Sequence, residues 1–210
     1  SPVGLIVEHV RQAAASAPVG TLITDAGSAK RVIVEALDGC LPRDCRFLGS
    51  HPLAGSEKSG AAHARADLFE GRVAILTPTR NTHGQDFDAL EDFWSSLGSV
   101  VIQMSPEEHD VALAMSSHLP HAVASALAAT LPEKYFRLAG SGFADTTRLA
   151  AGDGPLWQQI LSQNRQNVLA ALGEFEKHLA ALRTAIEQND APAIERLLAA
   201  AKKNRDALGS

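Results

Sequence analysis

His51 is the residue whose type and surroundings most clearly suggest chemistry. A short apolar run ends at this histidine, and a long loop rich in glycine, serine and proline follows it. In open α/β sheets, ligands bind beyond the carboxyl ends of the strands, where such loops converge. Because imidazole readily exchanges a proton near neutral pH, we predict that His51 is a general base. The alternative is a histidine that only hydrogen-bonds a turn.

Two further loops carry polar side chains that suit a small anionic ligand. Ser28 lies in residues 24–30, a turn that leads from a predicted strand into a helix; the alternative is that its hydroxyl simply caps that helix. Arg148 follows a glycine-rich loop, and its guanidinium can hold a carboxylate through two parallel hydrogen bonds. The alternative for Arg148 is a surface ion pair.

His118 and His121 are three residues apart, so on a helix they face the same side. Together with His51 they would supply three nitrogen ligands for zinc, as a metal-dependent hydrolase requires. Pro120 lies between them, however, and is expected to kink or break the helix. We therefore expect no metal, with one imidazole lining a cleft and the other serving structure.

The first hundred residues alternate strands with helices, which predicts an α/β domain with a mostly parallel sheet. The predicted strands are residues 19–25, 47–50, 73–77 and 100–104, and the first inter-strand helix is residues 29–37. Before the last strand, a helix with an apolar face is expected to end at Gly98. That face consists of Phe87, Leu90, Phe93, Trp94 and Leu97.

Beyond Met104 the pattern becomes all-helical, so we divide the chain into residues 1–104 and 105–210. Ser105 and Glu108 form a capping box at the start of this region. A long helix is predicted over residues 155–188, and Asp190 caps a final helix whose Ile194, Leu197 and Leu198 face inward. The long helix carries an apolar seam suited to another helix, either from this chain or from a second one. The seam consists of Val168, Leu172, Phe175, Leu179, Leu182 and Ile186.

Composition excludes several classes of protein. The chain has 210 residues with 45% hydrophobic and 20% charged residues, as is ordinary for a soluble globular protein. Its net charge of -5 argues against nucleic-acid binding, and no apolar run approaches the length of a membrane span. Two cysteines cannot form a disulfide framework, so we expect a cytoplasmic protein.

Taken together, four spaced segments closely resemble the prephenate dehydrogenase family, which includes arogenate dehydrogenases. They are residues 24–30, 49–60, 117–122 and 142–148, and they occur in the order that the family has. Further matching segments are residues 76–79, 105–110 and 155–157. The resemblance covers essentially the whole chain.

The resemblance implies oxidative decarboxylation of prephenate or arogenate in tyrosine biosynthesis, with hydride transfer to NAD or NADP. It also implies the back part of a Rossmann-like dinucleotide-binding domain followed by a helical domain that forms a homodimer. In such an enzyme His51 takes the proton of the ring hydroxyl, so activity should fall as this imidazole becomes protonated at low pH.

The resemblance also assigns roles to other positions. Ser28 would orient the ring hydroxyl and the nicotinamide, Pro2 would lie in a loop near the nicotinamide, and Arg148 would bind a substrate carboxylate. The residues implied to line or gate the substrate pocket are Ser56, Glu57, His118 and Trp157.

The chain departs from the family at its start. Family members begin with a strand and a Gly-x-Gly-x-x-Gly turn that receives the pyrophosphate, whereas this sequence starts after that point. We therefore expect a fragment with weak dinucleotide binding and uncertain activity. The alternative function is a non-catalytic helical dimerisation or binding module that keeps the old site as a relic.

Overall fold

The computed structural model describes residues 2–54 and 64–209, so the predictions for Ser56 and Glu57 lie outside the described residues. Contacts divide the chain into two compact units, Ser1–Val168 and Leu169–Ser210. The division at residues 104 and 105 stays a prediction.

The first part of the chain alternates strands and helices as predicted. The strands are β1 Leu22–Ile23, β2 Arg46–Phe47, β3 Gly49–Pro52, β4 Val73–Thr77 and β5 Val100–Gln103. After a 3₁₀ turn at Val3–Leu5, the helices are α1 Ile6–Ser16, α2 Arg31–Leu37 and α3 Gly84–Ser96.

The sheet is mixed. β1 pairs with β2, and β4 with β5, in parallel, but β3 pairs with β4 antiparallel. The single strand predicted at residues 47–50 is therefore wrong in its bounds, because Leu48 separates two strands with different partners. Of the strand predicted at residues 19–25, only the two residues of β1 form a strand. His51 lies within β3 and is not the first residue of a loop.

Two apolar clusters flank these strands. One joins α1 and α2 to β2 and includes Ile6, Ile33, Leu37 and Phe47; the other joins β4 to α3 through Leu76, Leu90 and Trp94. Phe93 and Leu97, predicted for the apolar face of α3, are instead exposed. Gly98 ends this segment with a φ of 83°, a left-handed conformation that favours glycine.

The rest of the first unit is helical. α4 Pro106–Leu113 starts with the predicted capping box, a π-helical turn follows at Ala114–His118, and α5 Leu119–Thr130 continues from it. Next come a 3₁₀ helix at Glu133–Leu138, α6 Ser141–Thr147, a 3₁₀ helix at Arg148–Ala151, and α7 Gly154–Gln163. Pro120 does not break the helix, because the wider π turn before it accommodates the missing N–H.

The long helix predicted over residues 155–188 is wrong as a single element. It consists of α7 and α8 Arg165–Glu187, separated by Asn164, and the division between the two compact units falls within α8. Asn164 leaves helical geometry with φ −102° and ψ 26°. Its side chain is buried and hydrogen-bonded to other elements, which explains a break that the apolar periodicity could not show.

The second unit contains the rest of α8 and α9 Ala191–Ala207. Asp190 caps α9 as predicted, its Oδ1 accepting from the N–H of Ala193 at 3.0 Å. Leu198, however, is exposed and not turned inward. Leu179 and Ile186 of the predicted seam are 53% and 59% exposed, so none of the residues that the structure describes covers this part of the seam.

Among the described residues, the continuous helix Pro106–Thr130 is long and apolar enough to cross a membrane by length and composition alone. It carries four buried polar residues, namely His109, Asp110, His118 and His121. Side chains of this kind are typical of a helix that packs inside a protein.

Candidate active site

His51 is buried on β3, where it pairs with Ile75 of β4 and keeps only 8% of its surface exposed. Its Nδ1 lies 2.9 Å from Nε2 of His109, and Nδ1 of His109 lies 2.8 Å from Oδ1 of Asp110. β3 and α4 thus bring an unbroken chain of two imidazoles and a carboxylate together.

When both rings are neutral, this chain fixes which nitrogen of each ring carries the proton. An ionised Asp110 only accepts hydrogen bonds, so Nδ1 of His109 donates to it and Nε2 of His109 carries a lone pair. That lone pair accepts the hydrogen bond of Nδ1–H of His51. His51 is therefore left with a lone pair on Nε2, as a general base requires.

Asp110 stays ionised although it is buried. Burial alone would raise the pKa of Asp110, but hydrogen bonds from His109 and from the backbone N–H groups of Lys30 and Arg31 hold it below its usual value. Those two N–H groups lie 2.8 and 3.1 Å from the carboxylate. They are the first donors of α2, so Asp110 caps this helix, and the alternative that Ser28 caps it is wrong.

Burial also keeps His51 neutral. Its pKa lies well below the usual 6.5, chiefly through loss of hydration, and further because any positive charge on His109, the charge of Lys30 and any positive charge on His118 would repel a charged His51. Burial thus favours the neutral ring, which keeps the lone pair on Nε2.

A buried ion pair holds the turn after β1 against His51. Lys30 is fully buried and pairs with Asp25, whose Oδ2 also accepts the N–H of Gly27 at 2.9 Å. Oδ1 of Asp25 accepts the N–H of Ser50 at 3.2 Å. Burial lowers the pKa of Lys30, while the charge of Asp25 opposes that shift. The turn that carries Ser28 is thereby fixed beside β3.

Ser28 lines a cavity of about 520 Å³ between this turn and α1. Gly27 is packed so closely there that a Cβ atom would lie 2.6 Å from Cδ1 of Ile6. Pro2 is exposed and directly precedes the 3₁₀ turn whose Val3 lines the same cavity. The size of this cavity and its mixed polar and apolar lining suit a small organic ligand.

His118 belongs to the same cluster as His51 and Ser28. It is buried at the end of the π turn, and burial lowers its pKa to about 4, with the charge of Asp110 opposing the shift. The backbone of Ser28 is near enough to raise that pKa slightly. Three of the sequence-predicted positions therefore lie together.

His121 stacks on Trp157, with ring centroids 3.6 Å apart and an interplanar angle of 9°. Burial lowers the pKa of His121. Gly152 packs closely against this pair, since a Cβ atom at position 152 would lie only 2.6 Å from Nε1 of Trp157. Within residues 2–54 and 64–209, no three His, Cys, Asp or Glu side chains group closely enough to hold a metal ion.

Arg148 is exposed at the start of the 3₁₀ helix that ends before Gly152. That helix packs against α5, which begins directly after His118. Its role as a carboxylate clamp stays a prediction.

Sequence reasoning missed the supporting groups Asp25, Lys30, His109, Asp110 and Asn164. His109 and Asp110 follow a capping box, where a helix is usually solvated, so nothing local marks them as buried. The available signal was their position within residues 105–110, one of the segments that carried the family resemblance.

Comparisons with known proteins match both halves of the chain. Residues 1–103 match the model of the prephenate dehydrogenase nucleotide-binding domain, and residues 105–200 match the model of the prephenate dehydrogenase dimerization domain. The Bacillus subtilis prephenate dehydrogenase is 38% identical over 193 residues, which are 89% of this chain and 52% of that protein. The Zymomonas mobilis cyclohexadienyl dehydrogenase is 38% identical over 188 residues, which are 85% of this chain and 64% of that protein. The chain thus spans between half and two thirds of the length of these relatives.

A solved structure agrees with the sequence matches. The prephenate dehydrogenase from A. aeolicus, in complex with hydroxyphenyl propionate and NAD+, is 36% identical with a TM-score of 0.92. The match covers 99% of this chain and 74% of that one. The chain belongs to the prephenate dehydrogenase family.

Proposed function

We propose that the protein oxidatively decarboxylates prephenate or arogenate, giving 4-hydroxyphenylpyruvate or tyrosine, with NAD or NADP as hydride acceptor. The observation that carries this proposal is the chain of hydrogen bonds from Asp110 through His109 to His51, which leaves a neutral imidazole with a lone pair on Nε2, close to His118, whose ring in turn lies close to the backbone of Ser28. Family membership supports this reaction, and the geometry of the hydrogen-bond chain supports His51 as its base.

The substrate would bind with its ring hydroxyl at His51 and Ser28 and a carboxylate at Arg148. His118 and Trp157 would border the ring, and Ser56 and Glu57 are assigned to the same pocket by resemblance alone. Two substrate carboxylates call for a fixed positive charge, and a guanidinium can hold one of them through two hydrogen bonds.

The nicotinamide would lie in the cavity beside Ser28 and Pro2, where, when bound, it accepts the hydride. His51 takes the hydroxyl proton while the carbinol carbon loses its hydride. The bond between the ring and its carboxylate then breaks, and carbon dioxide leaves. The electron pair of that bond stays with the ring and makes it aromatic. His51 returns the proton to the ring oxygen, so the base ends as it began. A base placed in this way typically contributes about 10²–10⁴-fold to the rate.

The proposal includes a homodimer formed through the helical region, because the dimerization-domain match coincides with apolar side chains that are exposed in a single chain. A cytoplasmic location, with no role for membranes or nucleic acids, is part of the same proposal.

The test is to mix the protein with prephenate or arogenate and NAD or NADP, following reduced nicotinamide and the aromatic product. We expect one substrate to give both signals in equal amounts, and His51→Asn to lose roughly 10²–10⁴-fold in kcat/KM. A folded protein that gives neither signal with any pair would overturn the proposal and favour the non-catalytic module.

A further inference from the structure

Asn164, between α7 and α8, is buried and holds its amide in one orientation. Its Nδ2 donates to the backbone carbonyl of Asp110 at 2.6 Å, and its Oδ1 accepts from Nδ2 of Asn167 at 2.8 Å. If the amide were turned over, Oδ1 would face the carbonyl oxygen of Asp110, and two acceptors would repel each other. The contacts therefore identify the NH₂ group of Asn164.

That NH₂ group determines the tautomer of His118. Nδ2 of Asn164 also lies 3.1 Å from Nδ1 of His118, and an NH₂ group only donates. Nδ1 of His118 therefore carries a lone pair, and its proton is on Nε2. This is the reverse of the tautomer that the Asp110 chain fixes in His51.

The Nε2–H group of His118 has no acceptor within the described part of the chain. His118 is only 1% exposed, and its Nε2 is buried without a hydrogen-bond partner there. Buried N–H donors in proteins are almost always paired. The backbone of Ser28 lies close enough to raise the pKa of His118, but it does not meet the geometry of a hydrogen bond to Nε2, so a ligand beside Ser28 can supply the acceptor.

We propose that Asn164 is a positioning residue that holds His118 as the Nε2–H tautomer, so that His118 donates a hydrogen bond to an oxygen of the ligand beside Ser28. The identity of that ligand rests on the proposed function: the oxygen belongs either to the ring substrate or to the nicotinamide end of the dinucleotide. The same amide also binds the backbone carbonyl of Asp110. Asn164 therefore contacts His118 directly and supports His51 indirectly, through Asp110 and His109.

The tautomer is tested without any activity, by ¹⁵N NMR of the histidine rings in the 210-residue chain at neutral pH. We expect a proton on Nε2 of His118. Asn164→Asp replaces the donor with an acceptor, so His118 should move its proton to Nδ1 or become charged. Asn204→Asp makes the same chemical change at an exposed site on α9 and should leave His118 unchanged.

Two results would overturn this assignment. One is a wild-type His118 with its proton on Nδ1, and the other is an Asn164→Asp chain whose His118 signals match the wild type. If Asn164→Asp does not fold, Asn164→Ala serves instead, and we expect its His118 to populate both tautomers. The wild-type spectrum is decisive even without either variant.

The ligand contact is tested by titrating the labelled protein separately with NAD and with 4-hydroxyphenylpyruvate. We expect the Nε2–H resonance of His118 to shift with the ligand that carries the acceptor, and Asn164→Ala to raise KM for that reactant about five- to tenfold with little change in kcat. Bound ligands that leave this resonance unmoved would refute the contact. A protein that binds neither ligand would refute the proposed function and the contact while leaving the tautomer result intact.

Discussion

The basicity of His51 is set by two side chains that the substrate need not touch. Asp110 is ionised because three N–H groups donate hydrogen bonds to it. One of these groups is Nδ1–H of His109, so Nε2 of His109 is left to accept the hydrogen bond of Nδ1–H of His51. Burial then keeps that ring neutral. The basicity of His51 therefore depends on β3, α4 and the start of α2 together.

Substitution of His109 tests this arrangement. His109→Leu removes the acceptor for Nδ1–H of His51, and we expect kcat/KM to fall by roughly tenfold or more because His51 then populates the wrong tautomer. His109→Gln can accept from His51 and donate to Asp110, so it should recover part of the loss. Equal activity of the leucine variant and the wild type, measured by initial rates, would show that His109 only fills space.

The pH profile follows from the direction of the His51 pKa shift. His51 acts as a base only when neutral, and its pKa lies well below 6.5, so kcat/KM should stay level as pH falls through 6.5 and decline only well below it. The loss of activity that the sequence predicts at low pH should therefore begin only at a pH well below 6.5. An acid limb centred at or above pH 6.5 would contradict the burial argument.

A stability control must accompany that profile. The pKa values of His118 and His121 are also lowered on folding, so the unfolded chain binds more protons below pH 6.5 and the free energy of unfolding decreases as pH falls. Samples returned to neutral pH should therefore recover full activity before a low rate is assigned to His51.

At the scale of elements, the helix from Pro106 to Thr130 organises the site. Its first turn contributes His109 and Asp110, and its π turn contributes His118 just before Pro120. π turns in helices often occur at functional sites, since the extra residue turns side chains toward new partners. The 3₁₀ helix at Arg148–Ala151 leads into Gly152, which packs closely against Trp157 of α7. Trp157 in turn stacks on His121 of the Pro106–Thr130 helix.

Gly152→Ala tests that closure. The added methyl group would lie 2.6 Å from Nε1 of Trp157, so we expect a loss of about 1–3 kcal/mol in the free energy of unfolding, measured by urea denaturation. Gly154→Ala is the matched control, because a Cβ atom there meets nothing within 4 Å. Equal stability of the two variants would contradict the close packing of the His121–Trp157 pair.

The sequence was sufficient for elements that have local signals. The capping box at Ser105, the stop at Gly98 and the cap at Asp190 each depend on neighbouring residues, and all three are confirmed. The split at Leu48 and the break at Asn164 depend on partners distant in sequence, which periodicity does not report. The same reason explains the site: the loop sequence after His51 marked that residue, whereas Asp110 became visible only through its contacts with the start of α2 and with His109.

At the scale of the whole molecule, exposed leucines on α8 predict a homodimer. Leu179→Glu should shift the protein from dimer to monomer in light scattering, because burying a leucine contributes about 1.5–3 kcal/mol and a symmetric interface loses it twice. The corresponding weakening is roughly 10²-fold or more in Kd. Leu208→Glu, at the exposed end of α9, is the control. A monomeric wild type would contradict the dimer.

The central claim is that His51 presents a neutral lone pair on Nε2 because Asp110 and His109 hold its proton on Nδ1. The most direct measurement is the ¹⁵N NMR spectrum of the His51 ring in the ligand-free protein at neutral pH. We predict a neutral ring protonated on Nδ1, and a shift away from that state in His109→Leu. A ring protonated on Nε2, or an imidazolium, would contradict the account.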